Sequence, residues 1–475
     1  MLTLVRLAKL PKVPPVRAEV AYDRQSSLRP NLRASVYDAG FYGLMVGIGE
    51  AYLPAFALAI GLGEVVSGLV TSVPILLGGI LQLLSIYALS WVGSYKRWIV
   101  AGIIMQAFAF FPLIYAALVG SISAWGYFAV ASCYWGAGMA SGPAWNAWIS
   151  HVVPSRIRSH YFARRTRVIQ LATLGGFLFA GWLLQMTKER DMVLYGFATI
   201  FIIAVVARFA SAFCLERHKT SAHEDRAEPR THRLWNAWTH IPPKARYLIC
   251  YLVCMQGCIQ FSGPYFIPYM LKQLDFSYTA LVAVIAGALV ARACFMSLWG
   301  LVARNYGSQT LLWIGGLGLV PLSSLWTLSD SIAWLVTVQI ISGILWAAYE
   351  LAFFLMFLDY IPQRKRSDIL TIYNFAHAVA WCIGALLGGW WILSHGTTPD
   401  AYHGVFIVSA IGRCACVGLL WLTWRSTVTS PTPIWPVDTA KIQVELSETP
   451  EFSSGSSGTS PNPSPMLDIA AKAAA

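Results

Sequence analysis

Charge is what this sequence has little of. Only 12% of its 475 residues are Asp, Glu, Lys or Arg, about half the roughly 25% usual in a soluble domain. That excludes an ordinary water-soluble globule. Chemical motifs are scarce too. There is no nucleotide P-loop and no His-Glu-x-x-His zinc motif, and the loops hold few His or acidic clusters, which argues against an enzyme or a cofactor. None of the nine cysteines falls in an outer loop, so no disulfide framework is implied. Residues 1–36 carry no signal-peptide core or cleavage site, and read as a retained basic tail.

What is abundant is apolar sequence, 57% of the chain. Runs of about 20 apolar residues, enough to cross a bilayer, recur almost throughout. Twelve fall near 38–61, 65–92, 98–119, 124–149, 166–186, 192–214, 246–271, 278–300, 309–328, 331–358, 368–394 and 403–424, numbered spans 1 to 12 in chain order. The pattern predicts an all-α integral membrane protein. Its expected divisions are a basic tail at 1–36, a six-helix bundle at 37–214 and a linker at 215–245. A second bundle at 246–425 precedes a Ser/Pro/Thr-rich tail at 426–475, which is expected to be disordered.

The net charge of +12 would suit nucleic acid, but its placement argues otherwise. Lys188, Arg190 and Lys272 lie in one set of loops, and Arg208, Arg292 and Arg413 within spans. The other 28 of the 34 Lys and Arg fall in the tails and the alternate loops. This is the positive-inside bias, which predicts that both termini are cytoplasmic; the expected location is the plasma (inner) membrane.

The two halves also repeat each other. Tyr52-Leu53-Pro54 matches Phe266-Ile267-Pro268 and Gly93-Ser94 matches Gly307-Ser308, both at an offset of 214. "PSRIRS" at 154–159 matches "PQRKRS" at 362–367, and Gly181-Trp182 matches Gly389-Trp390, at 208. Phe201 and Arg208 fall on Phe406 and Arg413 at 205. Order is kept while the offset drifts, as loop insertions and deletions would cause. Six spans followed by a similar six imply parallel halves with a site between them.

With these features the chain resembles a major facilitator superfamily transporter over about residues 37–425. The 2–3 loop, "IYALSWVGSYKR", keeps that family's Gly93, Lys96 and Arg97, but has Ile86 for the first Gly and Ser90 for the Asp. The 8–9 loop, "GLVARNYGSQ", keeps Gly300 and Gly307 but has Arg304 at the acidic position. The resemblance makes these the gating loops, with an altered latch. The Gly-Pro signature of drug antiporters is missing from span 5, so drug export is not implied. The resemblance also implies alternating access, a small-molecule substrate and a cavity lined by spans 1, 4, 7 and 10.

Two acids lie clearly inside spans, Glu50 and Glu350, with the bases Arg208, Arg292, Arg413 and His377. Intramembrane charges are costly and usually face a bundle interior or a water-filled cavity. Glu50 is about twelve residues from either end of span 1, roughly the midplane at ~1.5 Å per residue. Pro54 cannot donate to the carbonyl four residues back, which is that of Glu50. That oxygen is therefore expected to be free and the helix to bend, with Pro268 kinking span 7 likewise. Occlusion favours the neutral form of a carboxyl. A Glu that ionises only when open to water links proton movement to solute binding. The competing readings for Glu50 are a permanently neutral structural group and a direct contact for a cationic substrate.

Glu350, Arg292 and His377 share a depth, which predicts a Glu350–Arg292 ion pair beside a titratable His377, either static or proton-shuttling. Arg208 and Arg413 are expected to snorkel toward the cytoplasmic face. Candidate cavity residues are Tyr42 and Tyr52, Trp135 and Asn146, Gln256, Gln260 and Tyr265, and Trp346 and Tyr349. Cys250, Cys254 and Cys258 share a helix face, expected to be a packing face rather than a soft-metal site. The expected partners are membrane lipids, a small organic solute and protons as coupling ion, with no nucleic acid, metal or cofactor, and the chain acting as a monomer. The competing class is a transporter-like receptor or assembly protein that binds without moving anything.

Overall fold

The computed structural model describes residues 16–153, 155–218, 241, 243–361 and 366–425. The tail at 426–475 and most of the 215–245 linker lie outside the described residues, as do Pro154 and residues 362–365 of the repeated loop motif. Nine of the described helices are long and apolar enough to cross a membrane. One of them, Tyr278–Gly318, is two rods meeting at Gly307, whose φ of 86° and ψ of 158° only glycine adopts readily. Helices Ala124–Val152 and Pro243–Ser262 are more polar but supply spans 4 and 7. The set is consistent with twelve crossings in two six-helix bundles.

No break falls at the expected 36/37 boundary. One helix runs from Val16 to Ile48. Its Asn31 and Ser35 are buried, and the Tyr161 hydroxyl donates to Ser35 Oγ at 2.5 Å. Packing of Leu32, Ser35 and Val36 against Tyr161 at the start of the span 5 helix carries the helix across the 36/37 boundary.

The sequence repeat reappears in the backbone. Span 1 stops at Ile48, makes a 3₁₀ turn at Glu50–Tyr52 and resumes at Leu53–Ala59. Span 7 stops at Ser262, makes a 3₁₀ turn at Gly263–Tyr265 and resumes at Phe266–Pro268, followed by a π turn at Tyr269–Gln273. The turns lie within one residue of the 214 offset. Gly93, with φ of 69°, closes span 2 in the left-handed region, as Gly307 separates spans 8 and 9. The Oγ of Ser94 then caps span 3 by accepting from the Arg97 amide at 3.1 Å.

Glycines set the helix spacing. A Cβ added at Gly47 would lie 2.1 Å from the Thr173 carbonyl oxygen, bringing span 1 against span 5. Cβ atoms added at Gly384 and Gly388 would lie 2.2 and 2.1 Å from the carbonyl oxygens of Gly257 and Phe261, bringing span 11 against span 7. These are repeat-equivalent pairs, and small residues are what permit such approach.

The halves meet at the end poor in basic loops. There Gln273 Nε2 donates to both carboxylate oxygens of Glu64 at 3.2 Å, and the Tyr402 hydroxyl donates to Glu64 Oε2. The Tyr278 amide donates to Gln185 Oε1 at 3.1 Å. Deeper in, Trp381 Nε1 donates to Ser72 Oγ at 3.3 Å.

Gly47→Ala is expected to destabilise the protein by roughly 1–3 kcal/mol, the scale of overpacking. Gly175→Ala, on the facing helix with nothing within 4 Å of an added Cβ, is expected to be neutral or stabilising. Thermal melts in detergent check the pair; equal melting temperatures would refute close span 1–span 5 packing.

Candidate functional site

The site begins at the break in span 1. Gly49, Pro54 and the apolar walls around them leave Glu50 at the end of a helix rather than inside one. Its backbone oxygen is not free as the sequence predicts. The Leu53 amide donates to it, closing the 3₁₀ turn. Pro54 removes the α-type bond and the chain substitutes the i+3 bond. The Glu50 carboxylate accepts from the Tyr134 hydroxyl at 2.5 Å and lines a cavity of about 310 Å³ with Tyr42, Trp135, Asn146, Asp38, Arg165 and Arg208. Asn146 is exposed, so the cavity reaches the basic-loop end.

Arg208 does not snorkel. It is 6% exposed, and Nε and Nη2 both donate to Gln106 Oε1. Nη1 donates to Ser211 Oγ at 3.0 Å, and Ser211 donates to Asp38 Oδ1 at 2.6 Å. The other Asp38 oxygen accepts from Arg165 Nη2 at 3.0 Å. Arg165 lies over the Trp145 ring at 4.0 Å, and Arg208 over the Tyr42 ring at 5.1 Å. Gln106 Nε2 donates to the Tyr134 carbonyl at 3.2 Å. A continuous polar path thus joins Arg165 to Glu50 through spans 5, 1, 6, 3 and 4. Sequence reasoning missed Asp38, Arg165, Gln106, Tyr134 and Ser211. The one available signal was an Asp at the first residue of an apolar run, which reads as a loop residue.

In the second half, Arg292 Nη2 and Glu350 Oε2 form the expected ion pair, with side chains 36% and 35% exposed. They share a cavity of about 390 Å³ with His377, Gln256, Gln260, Trp346 and Trp381. The His377 ring packs between those of Tyr373 and Trp381, with centroids 5.4 and 5.8 Å away. Gln260 and Trp346 also line a neighbouring cavity of about 340 Å³, where Arg413 sits, 4% exposed and again not snorkelling.

Three expected cavity residues are placed elsewhere. Tyr52 and Tyr265 are fully buried at the equivalent last position of the two 3₁₀ turns. Their hydroxyls donate to the carbonyls of Phe177 on span 5, at 2.7 Å, and Ala385 on span 11, at 2.6 Å. They pin each broken helix to its partner. Tyr349 packs into the second-half core against Tyr251. Cys258 Sγ lies 3.7 Å from Cys416 Sγ, while Cys250 and Cys254 are exposed.

At the basic end, Lys96 Nζ donates to the Glu216 carbonyl at 2.6 Å and lies 3.7 Å from its carboxylate. Arg97 and Arg304 are exposed, and Gly300 has open space around it. The side chains of Ile86 and Ser90 lie outside the described residues. His218, just past span 6, is 2% exposed. Its ring lies 4.7 Å from that of Trp148, and neither ring nitrogen has a hydrogen-bond partner among the described residues. Burial, then the nearby Lys96 ammonium, lower its pKa from 6.5 to about 4.

Glu350→Gln is expected to lower stability by about 1 kcal/mol, between the exposed-pair and buried-pair scales, and added Arg292→Gln to recover part of it. Additive losses in melting would show that the pair is not coupled. For His218 the folded-state pKa lies below the unfolded one. Its neutral form therefore contributes stability fully above about pH 6.5, which is lost as pH falls toward about 4. His218→Phe is expected to flatten that part of the melting-temperature profile; an unchanged slope would rule His218 out as its source.

The architecture is shared widely among transporters. A bacterial homologue of the human lysosomal transporter Spinster, inward-facing and unoccupied, superposes with a TM-score of 0.64 at 13% identity, covering 86% of this chain and 99% of the other. A mutant of the nucleoside transporter NupG gives 0.63 at 12% identity, covering 83% and 100%. A POT family transporter in complex with 5-aminolevulinic acid gives 0.64 at 12% identity, covering 83% and 96%. At these identities the likeness shows the fold alone. No curated protein matches the chain. The Major Facilitator Superfamily model matches residues 39–385, nearly three quarters of the sequence, and the chain belongs to that superfamily.

Proposed function

We propose that the protein is a secondary active transporter of a small organic solute. It works by alternating access between its two halves, with Glu50 as the proton-coupling group. The superfamily supports solute transport across a membrane. The observation that carries the coupling is the setting of Glu50. Its carboxylate stands at a cavity wall, held by a neutral phenol, while the nearest cationic side chains are engaged elsewhere. Arg208 is committed to Gln106 and Ser211, and Arg165 to Asp38. A carboxylate without a fixed counter-charge can gain and lose a proton as water comes and goes, whereas an ion-paired one is held ionised.

The remaining assignments follow from the same reading. The basic loops and both termini face the cytoplasm, an orientation the positive-inside bias supports, and the membrane is the plasma membrane. The seal of Glu64 with Tyr402 and Gln273 then closes the outer side, and the cavity beside Glu50 opens inward. Tyr42, Trp135, Asn146, Gln256, Gln260 and Trp346 form the solute surface, and the protein acts as a monomer. The Arg292–Glu350 pair and His377 form a second titratable group in the other half.

Glu50→Gln is expected to bring proton-driven accumulation in proteoliposomes down to the equilibrium level while counterflow exchange persists. Wild-type accumulation by the variant would remove Glu50 from the coupling. Loss of exchange as well would make it a binding group instead.

A further inference from the structure

The two repeat-equivalent arginines are not in equivalent electrostatic positions. Arg208 shares its cavity with two carboxylates, Asp38 and Glu50. At the 214 offset those positions hold Leu252 and Pro264. Arg413 is as deeply buried, at 4% exposure, yet no described carboxylate lies within 4.0 Å of it. Its two hydrogen bonds go to neutral groups, from Nη1 to the Leu319 carbonyl at 2.9 Å and from Nη2 to Ser262 Oγ at 3.1 Å. A guanidinium carries five donor hydrogens, and Nε in particular is buried without a partner among the described residues. Ser323 Oγ, on the wall of the same cavity, is also buried with no partner among the described residues.

An unpaired cation taken out of water is costly unless something neutralises it. The surrounding wall shows what fits. The cavity is about 340 Å³, lined by Phe266, Trp326, Trp346 and Trp381 as apolar faces, with Thr71 contributed by the first half. That is at the small end of ligand sites, which span roughly 300–1,000 Å³. The Arg292–Glu350 pair next door is self-neutralised, so among the described residues lining the two cavities Arg413 is the one uncompensated positive charge, beside flat apolar walls.

We propose that this cavity binds the carboxylate of a small aromatic monocarboxylic acid, with Arg413 and Ser323 as the anion donors and the indoles as the walls. The assignment rests on the transport reading only in making that acid the solute. A planar guanidinium suits a carboxylate geometrically, and a single uncompensated charge suits a monoanion rather than a dianion.

The test is binding to the purified full-length protein in detergent at neutral pH, read by melting temperature and tryptophan fluorescence. The probes are benzoate, phenylacetate and indole-3-acetate, each beside its amide, in chloride-free buffer. At least one carboxylate is expected to bind and its amide not to. Arg413→Gln is expected to weaken binding roughly ten- to a hundredfold, the scale of a charge-assisted hydrogen bond, while Arg413→Lys keeps part of it. Ser323→Ala, a milder change, is expected to weaken binding severalfold without altering the unliganded melt, and serves if Arg413→Gln does not fold. The proposal falls if no carboxylate binds, if amides bind equally, if Arg413→Gln or Ser323→Ala leaves affinity unchanged, or if chloride alone gives the same shift. Uptake into proteoliposomes is measured separately. Carboxylate binding without uptake would keep the site and remove the transport reading. Uptake of neutral or cationic solutes without carboxylate binding would do the reverse.

Discussion

The constraint on which this structure depends is that a charge inside a membrane span must find its partner within the protein or face a water-filled cavity. The first half meets it with a chain of contacts. Arg165 donates to Asp38, Asp38 accepts from Ser211, Ser211 accepts from Arg208, and Arg208 donates to Gln106. These side chains come from spans 5, 1, 6 and 3. Three of these bonds tie two helices together, Arg165 to Asp38, Ser211 to Asp38 and Arg208 to Gln106, while the bond from Arg208 to Ser211 lies within span 6. Removing any member would leave its neighbour unsatisfied, so the network orders the bundle as well as neutralising it.

The same rule acts on the backbone. Irregular turns at membrane depth leave carbonyls without helical partners, and these must be met inside the protein. At the span 1 break the Gly49 and Glu50 carbonyls accept from the Tyr52 and Leu53 amides of the 3₁₀ turn, and the Tyr127 hydroxyl and Ser67 Oγ add bonds to the Leu53 and Pro54 carbonyls at the start of the resumed helix, both at 2.7 Å. Tyr52 and Tyr265 in turn use the broken turns to reach the neighbouring spans. The breaks are therefore firmly held points, flanked by glycine contacts too tight to slide. This favours movement of each bundle as a unit, with the polar contacts between halves as the elements that exchange.

How much of this was legible in the sequence follows from which forces leave a linear trace. Hydropathy does, so the spans, the two-bundle fold and the repeat could be read directly. Depth does as well, because residues count off at a fixed rise. That is why the Arg292–Glu350 pair and its shared cavity with His377 could be anticipated. Radial direction leaves a weaker trace. Arg208 and Arg413 lie where an arginine could reach either the lipid boundary or the interior, and sequence gave no means to choose. Tyr52, Tyr265 and Tyr349 lie on plausible faces, but the carbonyls and rings that hold them belong to helices over a hundred residues away or in another turn of the core. Asp38 was passed over because the last polar residue before an apolar run looks like its boundary, whereas here the helix extends back to Val16 and carries Asp38 inside.

The repeat makes the remaining asymmetry informative. Two halves built on one plan share the broken helix, the pinning tyrosine, the left-handed glycine at the basic loop and the buried arginine. What they do not share is compensation of charge. The first half surrounds its arginine with carboxylates and holds Glu50 by Tyr134 alone among the described residues. The second closes one ion pair and leaves Arg413 on neutral partners. A common skeleton with unlike charges assigns different chemistry to each side of the central space. On the reading proposed above, Glu50 supplies a proton-exchanging group on one side, and Arg413, without a counter-ion among the described residues, lies on the other. A molecule that neutralised the second while the first took up a proton would let both halves bury their charges at once. Occlusion would then be easier with both sites filled than with either alone, which is the energetic condition for coupling two fluxes in one transport cycle.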